Sequence, residues 1–304
     1  MRSKRHRLYL IANPGAGVSG SPLVEEVVNA LLRAGAEVTL TQPADIECGR
    51  SQAREAAECG RYDAVLAAGG DGTIRQVAAA LIGTETPLGI IPVGTGNVLA
   101  HEIGLAHQSA AVVHMLLSGP AVSAVCARAN GEPFLLMAGA GFDGRVIAAL
   151  DHRLKSHVGK VAYAGPILGA LAHPVDTLTV SVDGQPHEAS WAVIANARHY
   201  GGNFVMARGT GIRERGLQAI LFKAKNRAEL FSQLVALVMG QLDARAASRG
   251  DIEMIPCAHA SIGAEHPVPT QIDGDAFGTT PLEVAAGTAE LQLIVPVGSP
   301  GRAG

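Results

Sequence analysis

Short, wholly apolar runs alternate with stretches of helical period through the first 120 residues, and this alternation restricts the fold more than any other feature. Residues 8–12 form a continuous apolar run, the pattern of a strand covered on both faces in a parallel sheet. Ser21 and Pro22 then supply a cap and a first-turn proline. Leu23, Val24, Val27, Val28, Leu31 and Leu32 follow at helical spacing as far as Gly35. The same reading predicts strands over 38–41, 64–68 and 88–92, and helices over 50–59, 73–81 and 108–117. Strands separated by helices imply an α/β domain with an open sheet.

After Gly119-Pro120 the texture changes. Strands are expected over 122–128, 134–138, 178–182, 189–195 and 217–222, with a turn at Asp183-Gly184. Helices are expected over 158–171 and 227–239, the second with a core-facing stripe over 230–239, and short strands resume from 252. The chain thus reads as an α/β domain over 1–120 and a β-rich, antiparallel domain over 121–287. Hydrophobic residues make up 48% and charged residues 17%, which suits packed cores and excludes disorder. A net charge of −3 gives no basic footprint for nucleic acid. Cys48, Cys59, Cys126 and Cys257 lie too far apart for a disulfide framework or a zinc site, and point to a reducing cytoplasmic location. The apolar run after Arg7 is shorter than the roughly 7–15 residues of a secretory segment. The stretch 161–172 is interrupted by Pro166 and falls short of the roughly 20 residues that span a bilayer. No transmembrane segment is expected. An exposed strand edge would leave both a homodimer and a covered edge open.

Three glycine-rich turns carry the chemistry. Gly15, Gly17 and Gly20 spell G-x-G-x-x-G between a strand and a helix, a spacing that admits a pyrophosphate or serves equally as a tight strand-to-helix turn. A dinucleotide site also wants an acidic residue after the second strand, and that strand runs Thr39-Leu40-Thr41-Gln42. This weighs against an NAD-dependent oxidoreductase, and Ser21 in place of lysine excludes a Walker A loop. Gly69-Gly70-Asp71-Gly72-Thr73 is more specific: consecutive backbone N–H groups can converge on phosphate oxygens ahead of a helix. An aspartate among phosphates implies a cation, so Asp71 points to Mg²⁺. An ordinary Asp-Gly turn explains one pair of these residues but not the run. Gly94-Thr95-Gly96-Asn97 repeats the pattern after the fourth strand, and three such loops on one sheet edge make a nucleotide site.

With these motifs the chain resembles the diacylglycerol kinase catalytic family, which includes sphingosine, ceramide and small bacterial lipid kinases. The resemblance rests on Asn13-Pro14-x-x-Gly17, Gly69-Gly70-Asp71-Gly72-Thr73 and Pro92-x-Gly94-Thr95-Gly96-Asn97. It continues through Gly139-x-Gly141-Phe142-Asp143, Gly159-Lys160-x-Ala162-Tyr163 and Asp273-Gly274-Asp275. It implies an N-terminal nucleotide-binding domain like those of NAD kinases and phosphofructokinases. A β-sandwich lipid-binding domain would follow, with a C-terminal tail, about 288–304, folding back onto the first domain. It implies that ATP contacts Asn13, Gly17, Thr41, Gly69, Gly70, Asp71, Gly72, Thr73, Thr95, Gly96 and Asn97. Asp275 stands where the family places its proton acceptor, usually a glutamate, and Asp143 where an acceptor head group would bind. A helix cap is the plainer role for Asp143, and a turn residue for Asp275.

Three departures stand out. Arg75-Gln76 replaces a common Asn-Glu, Val98 replaces an aspartate, and Arg213-Glu214-Arg215 lies where an acidic loop would hold an accessory metal. The expected activity is ATP- and Mg²⁺-dependent phosphorylation of a lipid hydroxyl at a membrane surface, with a peripheral position at the inner membrane face. A non-catalytic nucleotide- or lipid-binding protein is the alternative. A basic stretch of Arg145, His152, Arg153, Lys155, His157 and Lys160 precedes the apolar segment and would rest on anionic lipid, or form a solvated helix beside a core helix.

Overall fold

A computed structural model describes residues 4–12, 21–150 and 159–298. The chain divides into two compact units, Met1–Val125 with Ala289–Gly304, and Cys126–Thr288. The first unit runs β1 (Arg7–Ala12), α1 (Pro22–Arg33), β2 (Glu37–Thr41), α2 (Ile46–Glu58), β3 (Ala64–Gly69) and α3 (Asp71–Leu81). It continues with β4 (Leu88–Pro92), α4 (Val98–Glu102), α5 (Ser109–Ser118) and β5 (Ala121–Val125), and the chain's last strand, β20 (Glu290–Ile294), also belongs to it. These strands form one six-stranded sheet of order β2-β1-β3-β4-β20-β5. All neighbours are parallel except β20 and β5.

The local signals act as physics requires. Pro22 opens α1, where its missing N–H costs nothing, and Gly35 leaves the helix at φ 85°. The helix predicted from residue 50 begins earlier because Asp45 accepts a hydrogen bond from the Cys48 amide at 2.8 Å and caps α2. Every residue of β3 and β4 is buried, as the apolar runs imply for central parallel strands.

The second unit runs β6 (Ala127–Ala129), β7 (Glu132–Phe134), β8 (Met137–Ala140), α6 (Phe142–Ala148), a 3₁₀ turn at Gly159–Tyr163 and α7 (Ala164–Ala172). Next come β9 (Leu178–Val182), β10 (Gln185–Ala189), β11 (Trp191–Ala195), β12 (His199–Tyr200), β13 (Phe204–Val205) and β14 (Leu217–Phe222). Then follow α8 (Arg227–Val238), α9 (Leu242–Arg249), β15 (Ile252–Cys257), β16 (His259–Ala264), β17 (Pro269–Ile272), β18 (Asp275–Thr279) and β19 (Leu282–Ala285). Two six-stranded sheets result, β10-β9-β16-β19-β6-β7 and β15-β14-β11-β8-β17-β18. Their inward residues, among them Phe134, Val180, Ile194, Leu221 and Ile262, share one apolar core, which makes the unit a β-sandwich.

Further expectations change. The strand predicted over 134–138 is the end of β7 and the start of β8, and that over 189–195 is the last residue of β10 followed by β11, each pair lying in different sheets. The single strand predicted over 122–128 is two strands in different sheets, β5 and β6, separated at Cys126. The stretch 230–239 expected to be core is buried at Leu230, Gln233, Ala236 and Leu237, while Phe231, Val235, Val238 and Met239 are exposed. Among the described residues no helix is long and apolar enough to cross a membrane.

Candidate active site

In the first unit, β1 lies between β2 and β3, so the chain reverses its direction of travel across the sheet there. Open α/β sheets bind ligands at the carboxyl ends of strands beside such a switch point. Register aligns Ala12 with Ala68 and Gly69 with Pro92, which brings the carboxyl ends of β1, β3 and β4 to one edge. Asn13, Gly15, Gly17 and Gly20 of the first loop lie outside the described residues, as do His152, Arg153, Lys155 and His157.

The other two glycine loops touch. A Cβ on Gly94 would stand 2.5 Å from the Gly70 Cα, and one on Gly69 would stand 2.5 Å from the Thr73 Cβ. Only glycine permits this approach of backbone to backbone. Asp71 opens α3, and its two carboxylate oxygens accept from the Val98 and Leu99 amides at 3.0 and 3.1 Å. The carboxylate therefore also anchors the start of α4. A single carboxylate at the head of a helix is the kind of oxygen donor that joins phosphate and water oxygens around a magnesium ion. Val98, which replaces the family's usual aspartate, contributes its amide here. Asn97 precedes α4 at φ 48°, and its side-chain Oδ1 is enclosed with no hydrogen-bond partner. A buried acceptor without a donor is costly. Gly70, Gly72, Thr73, Thr95 and Gly96 are half-buried. Thr41, at the end of β2, donates its hydroxyl to Gln52 at 2.9 Å, and Gln76 accepts from Arg50 at 2.5 Å.

In the second unit, Asp273 and Gly274 have φ of 50° and 82°, a two-residue turn of the kind that matches the twist of a hairpin. The turn joins β17 to β18 and pairs Ile272 with Asp275. The turn aspartate is thus Asp273, whose buried carboxylate accepts from the Leu135, Leu136 and Met137 amides at 2.9, 2.8 and 3.0 Å. Asp275 is the half-buried first residue of the outgoing strand. Asp143 does not cap α6, because Gly141 holds that position at φ 101°. Its carboxyl is 2% exposed and accepts from the Gly144 amide at 2.8 Å and from Gln271 Nε2 at 2.9 Å. Burial pushes the Asp143 carboxyl up to about 6, against the hydrogen bonds from Gln271 and Gly144. Burial also raises the nearby Tyr200 hydroxyl well above its ordinary value, with the Asp143 charge adding to the effect. Trp191 stacks on Phe222 with ring centroids 3.9 Å apart. In the loop 209–218, Glu214 pairs with Arg198 at 3.1 Å, and Arg198 also donates to the Thr210 carbonyl at 3.0 Å.

Sequence reasoning passed over Gln271. The only signal was its place two residues ahead of Asp273, and its partner Asp143 lies 128 positions away.

An α/β unit with glycine loops at a switch point, joined to an antiparallel sandwich, defines the architecture of a two-domain kinase. The family model for the diacylglycerol kinase catalytic domain matches residues 7–129, and the model for the YegS C-terminal NAD kinase beta sandwich-like domain matches 137–295. The chain belongs to the diacylglycerol kinase catalytic-domain family. An uncharacterized protein of Synechocystis sp. is 30% identical over 304 residues, covering 95% of this chain and 70% of that protein. The diacylglycerol kinase of Mycobacterium tuberculosis is 27% identical over 248 residues, 77% of each chain. A crystal structure from Bacillus anthracis shares the fold with a TM-score of 0.76 at 20% identity, covering 99% of this chain and 98% of that one.

Proposed function

We propose that the protein transfers the γ-phosphoryl group of ATP to a hydroxyl of a diacylglycerol-like lipid. The observation that carries this reading is the contact of Gly94 with Gly70, which brings two glycine loops together ahead of α3 and α4. ATP would be held by Thr41, the loop from Gly69 to Thr73, Thr95, Gly96 and Asn97, joined by Asn13 and Gly17. Asp71 would hold magnesium, which neutralises phosphate charge when bound. Asp275 would orient the acceptor hydroxyl and take its proton as the oxygen forms the new bond to the γ-phosphorus. The bond from that phosphorus to the bridging oxygen breaks, and ADP leaves with the electron pair. Aspartate reaches one methylene less than the family's glutamate, so the hairpin must set its position closely.

Two observations support a lipid acceptor met at a membrane surface. The Mycobacterium tuberculosis relative carries the name diacylglycerol kinase. On α8 the exposed face holds Phe231, Val235, Val238 and Met239, with Arg227 at its start, and on α7 Leu168 is exposed. Apolar side chains beside basic ones suit the bilayer interface.

Radiolabelled ATP incubated with the protein and a total lipid extract tests the reading. The wild type is expected to yield a labelled lipid. Asp275→Asn should lower the rate by about 10²–10⁴ with ATP affinity unchanged, the usual weight of a proton acceptor. Absence of any labelled lipid with wild type, or undiminished turnover by the variant, rejects it.

A further inference from the structure

The carboxylate of Asp143 is enclosed, so it has a cost in solvation that its hydrogen bonds must offset. Its place is prepared by a missing side chain: a Cβ on Gly139 would stand 2.3 Å from Asp143 Oδ2. Gly139 is also the backbone partner of Gln271 across β8 and β17. Space, carboxylate and amide thus converge on Gln271, which is 2% exposed. Gln271 Nε2 donates to Asp143 Oδ2 at 2.9 Å, and Gln271 Oε1 accepts from the Gly274 amide at 2.9 Å. The chemistry dictates which way the amide points, because an ionised carboxylate only accepts and a backbone N–H only donates.

In a two-residue hairpin turn the second turn residue's N–H has no partner in the ladder, so Gln271 satisfies an amide that the turn leaves open. Asp273 pins the other side of the same turn through its bonds to Leu135, Leu136 and Met137. The peptide plane between Asp273 and Gly274 is therefore held from two directions, and the residue that leaves it is Asp275.

We infer that Asp143 and Gln271 are positioning residues, a buried relay from the start of α6 through a glutamine amide to the turn that aims Asp275. The inference rests on the reading of Asp275 as proton acceptor and departs from direct contact of Asp143 with a lipid head group. A fixed turn matters because an aspartate has little reach, and a displacement near 1 Å of a reacting group costs up to about 10²-fold.

An exchange of the two functional groups tests the relay. Gln271→Glu sets two carboxylates against each other, and Asp143→Asn supplies one acceptor oxygen where two donors need partners. The double variant restores every bond with the polarity between the two side chains reversed. The side-chain amide now at position 143 donates to the carboxylate now at position 271, and that carboxylate still accepts from Gly274. Each single variant is expected to lower kcat about tenfold or more with the KM for ATP unchanged, and the double variant to recover most of that loss. Hydrogen exchange at the Gly274 amide should quicken in Gln271→Glu and slow again in the double variant. A double variant no better than the single ones, or unchanged Gly274 exchange, overturns the relay. So does an Asp143→Asn whose only effect is a raised KM for lipid, which marks a head-group contact. The exchange measurement needs no turnover, so a wild type inactive on all lipids would end the kinase reading and leave the relay decided on its own.

Discussion

Gly70 and Gly94 face each other across two loops, yet an added methyl group would meet different surroundings at each. On Gly94 it would stand 2.5 Å from the Gly70 Cα, and backbone cannot step aside as a side chain can. On Gly70 the nearest atom is the Gly94 Cα at 3.5 Å, an ordinary contact. Gly94→Ala should therefore cost about 1–3 kcal/mol of stability, the usual range for overpacking. Gly70→Ala should leave stability within about 0.5 kcal/mol but, on the proposed reading, weaken ATP binding, because a methyl group narrows the gap between the two glycine loops. Thermal melts with and without a non-hydrolysable ATP analogue separate the two effects. Equal melting shifts for both variants would show that the loops serve packing alone. The glycine runs were legible in the sequence because such spacing has few other uses. The second duty of Asp71 was not, because its partners Val98 and Leu99 offer backbone amides, which no residue type betrays.

At the scale of elements, periodicity located most strands and helices but not the sheet to which each belongs. The run over 122–128 is largely apolar, and nothing in its pattern says that Val125 and Ala127 lie in different sheets. The helix α4 escaped notice because five residues complete too little of a turn pattern to show a period. The last strand is the clearest case: β20 lies between β4 and β5 and buries Leu291, Leu293 and Ile294, and five register pairs join it to β5. No local signal in 290–294 predicts insertion into a sheet begun at residue 7. Ending the chain at Thr288 would leave β4 and β5 without their shared neighbour and remove those three buried side chains from the core. Burial of each is worth about 1.5–3 kcal/mol, so the shortened protein should lose its cooperative melt or become insoluble. Circular dichroism on the soluble fraction checks this, and an unchanged melting transition would show that β20 contributes nothing to the sheet.

Across the whole molecule, pH acts on carboxyls of opposite kinds, and one of them lies in the relay. Hydrogen bonds from Arg245 hold Asp251 below the usual carboxylate range, so its contribution is present near neutrality and is lost as pH falls below about 4. Asp143 has the opposite sign. Burial raises it from 3.8 to about 6, so between those values the folded chain binds more proton than the unfolded chain and stability falls as pH rises. The groups around it do not titrate in that window: Gln271, Gly144 and Trp191 carry no titratable proton there, and Tyr200 is raised well above its ordinary value. At about 1.4 kcal/mol per pH unit the fall amounts to roughly 3 kcal/mol. Asp143→Asn removes the ionisation, so the stability of the variant relative to wild type should climb between about pH 4 and pH 6 and level off above. Trp191 is the single tryptophan, wholly buried in the sandwich, so its fluorescence during urea unfolding reports this unit directly. Parallel stability curves for the two proteins from pH 4 to pH 8 would mean that Asp143 is not an enclosed ionisable group, and the relay would lose its first member.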